Sequence, residues 1–98
     1  MAKNNDYIIT FNKPYSFEGK EYTEIDMSKI EEMTAISLEE ADKIYQSSGM
    51  VDALKEMSIS YACIVASKVT GKPLEFFKNL PAKEAIKLKT LVTGFFYN

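Results

Sequence analysis

Few side chains in this sequence could do covalent or acid–base chemistry: one thiol, Cys63, and two adjacent carboxylate pairs, Glu31-Glu32 and Glu39-Glu40. A nucleophilic thiol needs an activating base, and the chain has no histidine to supply one. Cys63 lies in the longest apolar run, residues 61–66, where a free cysteine behaves as a small hydrophobe. Neighbouring carboxylates on a helix diverge by about 100°, so neither pair forms a shared proton site; both read as residues of helix starts. The glycines stand singly at Gly19, Gly49, Gly71 and Gly94, which leaves no phosphate-cradling loop. Without His, Arg, Trp or a second Cys, the usual zinc site, haem ligand, disulfide framework and histidine triad are excluded. No catalytic residue, cofactor or metal ligand is expected, and the chain reads as a non-enzyme. An enzyme subunit using Tyr or Lys in a pocket is the distant alternative.

What remains is binding. Phe95, Phe96 and Tyr97 are three consecutive aromatics, and three such residues cannot all face one core from a helix. They are candidate partner-binding residues, as a docking anchor or an oligomer contact, because aromatics concentrate interface energy. The alternative is that Phe95 and Phe96 close the core while Tyr97 caps it. Met27, Met33, Met50 and Met57 could supply adaptable contacts or fill the core.

Charge is divided along the chain. Residues 1–56 hold twelve acids and six lysines, net −6, and residues 57–98 hold two acids and six lysines, net +4, which sum to the overall −2. The basic half meets an acidic partner, or the halves attract one another, or solvated helix faces simply differ in sign. All basic residues are lysine, which disfavours nucleic acid as a partner, since bidentate base reading favours Arg. No apolar run approaches the roughly 20 residues that span a bilayer, so no membrane is expected. The polar first six residues lack the apolar stretch of a secretory signal, and a cytoplasmic protein is expected.

These residues must be positioned by one small domain, since 98 residues with 46% hydrophobic content support a single core. The expected fold is α+β, a mainly helical single domain over residues 1–98, with a β-hairpin region at 7–27 and a helical region at 37–97. Residues 7–11 are β-branched and aromatic, Pro14 interrupts, and Glu18-Gly19 supplies a two-residue turn that sets Tyr15 opposite Tyr22. The alternation then slips, because Tyr22 shares parity with Glu24 and Asp26 while Ile25 and Met27 lie on the other face. A bulge or a longer turn follows, with the register open.

From Ser28 the period becomes helical. Ser28-x-x-Glu31 and Ser37-x-x-Glu40 both have capping-box form. In the second, Ile36 and Ala41 form the staple, Glu39, Glu40 and Asp42 occupy the first turn, and Leu38, Ala41, Ile44 and Tyr45 line one face. Ser47-Ser48-Gly49 ends this helix, and residues 50–57 read as loop or helix start. A helix from Ser58 to Gly71 has apolar residues around most of its circumference, from Ile59 through Val69, and is the expected centre of the core. Pro73 starts a short helix with Leu74, Phe76 and Phe77, and Pro81 starts a last helix. That helix shows Ala85, Leu88, Leu91, Val92, Phe95 and Phe96 on one face, with Lys83, Glu84, Lys87 and Thr90 elsewhere. Gly94 either permits close helix approach or ends the regular helix.

The order of these segments resembles the small tail assembly chaperones of long-tailed phages and prophages. The resemblance is carried by PYSFEGKEYTEIDM at residues 14–27, MTAISLEEA at 33–41, YACIVA at 61–66, GKP at 71–73, LP at 80–81 and FF at 95–96. It implies a non-enzymatic assembly factor in the bacterial cytoplasm. Such a factor binds the tape measure protein, keeps its long hydrophobic helix soluble and helps recruit tail tube protein. Some members of the family also have a frameshifted longer form, whose extension would begin near residues 95–98. Homo-oligomerisation is a further possibility. The rival expectation is a small regulatory or antitoxin-like interaction protein of mobile-element origin.

Overall fold

The computed structural model describes residues 7–47 and 58–97. Strands β1 (Ile8–Phe17) and β2 (Lys20–Asp26) form an antiparallel hairpin. A 3-10 helix (Ser28–Glu32) follows, and then α1 (Ala35–Ser47), α2 (Ile59–Thr70), α3 (Leu74–Lys78) and α4 (Ala82–Tyr97). This is the α+β, mainly helical domain with an N-terminal hairpin that the sequence pattern predicts.

The hairpin turns at Glu18 and Gly19, both at positive φ (49° and 81°), as a two-residue turn that follows the twist of the strands requires. Tyr15 pairs with Tyr22 as expected. The slip in alternation is a bulge: Thr10 pairs with Glu24 and Tyr15 with Tyr22, so residues 11–14 oppose Thr23 alone. Pro14 therefore sits where the ladder is already broken and its missing N–H costs no strand hydrogen bond.

Ser28 does not cap a helix. Its N–H donates to Asp26 Oδ1 at 3.0 Å, and the segment winds as a 3-10 turn that buries Met27 and Ile30 completely. The start of α1 also differs from the sequence expectation. Thr34 is the cap: Ser37 N–H donates to Thr34 Oγ1 at 3.3 Å and Thr34 N–H donates to Ser37 Oγ at 3.4 Å, a reciprocal box with serine in the Glu position. The helix thus begins at Ala35 rather than 37, its first turn carries no acid, and Ile36 is 68% exposed instead of stapled. Ala41 and Tyr45 are buried, whereas Ile44 is 39% exposed. Residues 48–57, including Gly49, Met50 and Met57, lie outside the described residues.

The central helix is α2. It packs on α1, α3, α4 and the 3-10 turn, and all six residues 61–66 are buried. Ser58 Oγ accepts from Tyr61 N–H at 3.0 Å, and Gly71, at φ 78°, closes the helix by donating to Ser67 O. Ile59, at the first turn, is 44% exposed and lies outside that core. Both prolines stand one residue before their helices rather than inside them. Pro73 O accepts from Phe76 N–H, and Pro81 O accepts from Glu84 and Ala85 N–H, each at 3.0 Å. Helix α4 continues through Gly94 to Tyr97, so Gly94 does not end it.

An aromatic cluster joins hairpin to helices. Phe76 is met edge-on by Tyr15, Phe17 and Tyr22, with ring centroids 5.1, 5.3 and 4.8 Å away. Tyr15 Oη donates to Phe76 O at 2.8 Å, and Lys72 Nζ lies 5.3 Å from the Tyr22 ring centroid.

Candidate functional site

The sequence placed Glu84 off the apolar face of the last helix, yet it is buried, with 4% exposure. The β1 bulge explains why. Breaking the ladder at residues 11–14 leaves the Asn12 N–H without a strand acceptor, and Glu84 Oε2 accepts it at 2.8 Å. Lys87, one turn further along α4, places Nζ 3.0 Å from Glu84 Oε1 and donates to Thr10 O at 3.0 Å and Asn12 Oδ1 at 3.1 Å. Loss of solvent raises the proton affinity of Glu84. The hydrogen bond from Asn12, the close Lys87 ammonium and the charge of Lys83 more than offset this and hold its pKa below the usual carboxylate range.

This clasp floors an open cleft of about 470 Å³ between residues 12–16 and 81–84. Pro14, Tyr15 and Pro81 supply apolar wall, and Lys13 and Lys83 are exposed at its edge. Glu84 is the one carboxylate among its lining residues.

The C-terminal aromatics divide in two. Phe95 and Phe96 are half-buried: the Phe95 ring meets Tyr7 at 6.2 Å and the Phe96 ring meets Tyr61 at 6.2 Å. Tyr97 is 56% exposed. Both phenylalanines therefore close the end of the core, and they do not converge with the residue 12–16 cleft. Cys63 is buried, and that burial raises its thiol pKa against a smaller opposing effect from Lys78, so the thiolate is disfavoured. Met27 is core and Met33 packs at its margin. Among the described residues no cluster of three or more His, Cys, Asp or Glu could hold a metal, and no helix is long and apolar enough to cross a membrane.

Glu31 and Glu32 are exposed on the 3-10 helix, and Glu32 lines one open pocket of about 320 Å³ with Glu40, Lys29 and Lys68, where Glu40 is held by Lys68 of α2 at 2.6 Å. That hydrogen bond, with the lysine charge, lowers the Glu40 pKa. The sequence contains one signal for the missed clasp: Pro14 and the slip in alternation mark a bulge, whose unpaired N–H needs an acceptor outside the ladder. Which acceptor supplies it depends on how α4 lies against β1. The chain matches no family model, no curated protein and no solved structure.

Proposed function

We propose that the protein is a tail assembly chaperone of a long-tailed phage or prophage. It acts in the cytoplasm of the bacterial host, binds the tape measure protein and helps recruit tail tube subunits, through protein–protein contacts and without chemistry of its own. The observation that carries this is the ordered series of segments from PYSFEGKEYTEIDM to FF over residues 14–96. Its parts are also the parts that build the domain: the hairpin turn, the start of α1, the buried stretch of α2, the α2–α3 junction, the start of α4 and its closing aromatics. Exposed Ile36, Ile44, Ile59 and Ile86 add apolar contacts of the kind that receive an amphipathic helix.

Co-expression with the tape measure protein of the same phage is the test. The expected result is that the tape measure protein stays soluble and co-purifies with the chain, and aggregates without it. Tight binding to duplex DNA that falls steeply with salt, and no effect on tape measure solubility, would instead establish the regulatory or antitoxin-like function.

A further inference from the structure

The cleft between the β1 bulge and the first turn of α4 has a chemistry that selects its occupant. Its walls, Pro14, Tyr15 and Pro81, are apolar and fixed in place: Tyr15 by its hydrogen bond to Phe76 O, and the bulge by Glu84 and Lys87. Its edge is cationic. Lys13 and Lys83 are exposed, and neither takes part in an ion pair among the described residues. The single lining carboxylate, Glu84, is buried and already neutralised by Lys87. The N–H groups of Ala82 and Lys83 stand at the start of a sixteen-residue helix, ahead of Glu84 N–H, the first to donate to Pro81 O. That end of a helix favours negative charge.

From this charge complementarity we infer that the cleft is the docking site for an apolar segment of a partner protein flanked by carboxylates. One or two apolar side chains enter between Pro14, Tyr15 and Pro81, and the flanking carboxylates meet Lys13 and Lys83. A cleft of about 470 Å³ takes anchor side chains rather than a whole helix, so the partner lies across it and inserts them. The inference rests on the proposed chaperone function, with the tape measure protein as the partner whose segment docks.

The experiment co-expresses the full-length tape measure protein with each of three forms of the chain and measures the strength of the complex that co-purifies: wild type, Lys13→Glu/Lys83→Glu and Lys20→Glu/Lys29→Glu. All four lysines are exposed, and circular dichroism and thermal unfolding check that each variant folds. Lys13→Gln/Lys83→Gln replaces the first double variant if charge reversal disturbs folding. The expected result is a complex with wild type that weakens as salt rises, at least about tenfold weaker binding by the Lys13/Lys83 variant, and little change for the Lys20/Lys29 variant. Equal binding by wild type and the Lys13/Lys83 variant, or equal loss in both double variants, overturns the site and leaves the chaperone function standing. If folded wild type fails to bind the tape measure protein, the chaperone function fails and the docking site falls with it.

Discussion

The backbone N–H of Asn12 and the carboxylate of Glu84 lie seventy-two positions apart in the chain and 2.8 Å apart in space. This bond ties the irregular point of the hairpin to the first turn of the last helix. It turns a gap in the β-ladder into a tertiary contact between two residues that line the same cleft.

Removing the acceptor should loosen that junction. Glu84→Ala leaves the Asn12 N–H and the Lys87 ammonium without their carboxylate and is expected to cost about 1–3 kcal/mol in urea unfolding. Glu84→Gln keeps an oxygen for Asn12 but turns an amide NH2 toward the Lys87 ammonium, which can swing to solvent, so its cost should be smaller than that of Glu84→Ala. Equal losses in both variants would place the energy in the ion pair rather than in the backbone bond.

Acid should act through the same group. The pKa of Glu84 is lower folded than unfolded, so its contribution is complete above the unfolded value and is lost as pH falls through the lower folded value. Wild-type stability should therefore decline from about pH 4.3 downward. Glu84→Gln should flatten that part of the profile. Glu40 contributes with the same sign through Lys68 but is exposed and screened, so the difference between the two proteins isolates Glu84.

The hairpin turn carries strain that substitution can relieve. Glu18 adopts φ 49°, where asparagine is favoured, and Glu18→Asn should raise Tm. Gly19 at φ 81° has open space around it, so Gly19→Ala meets no clash and should lose about 1 kcal/mol from backbone conformation alone. Thermal unfolding of both variants checks the pair of opposite signs.

At the other end of the chain, Phe95→Ala and Phe96→Ala should each lower stability by about 1–2 kcal/mol, because each ring is half-buried against an aromatic of the core. Tyr97→Ala separates folding from docking. A binding role for the terminal trio predicts weaker association of the folded variant with the tape measure protein, and unchanged binding would remove that role.

Much of this architecture was legible in the residues themselves. Glu18-Gly19 between aromatic strands set Tyr15 against Tyr22, and the apolar stretch 61–66 became the buried centre of α2. Less legible were the helix starts. Ser37 resembles a cap as closely as Thr34 does, and the choice between them depends on which phase of α1 lets Ala41 and Tyr45 reach the core. Ile36 and Ile59 match the helical period yet remain exposed, because an apolar side chain is buried only where another element covers it.

By itself the sequence determined much of the local structure and the chemical limits: a hairpin turning at Glu18-Gly19, a central helix stopped by Gly71, and no imidazole for catalysis. Only the tertiary structure decided that Glu84 is buried, that Lys87 bonds two acceptors on β1 beside that carboxylate, and that Lys13 and Lys83 share one cleft. The physical reason is range. Turn and cap preferences act over a few residues, whereas desolvation of a carboxylate depends on what folds against it, here a strand that lies seventy-two residues earlier.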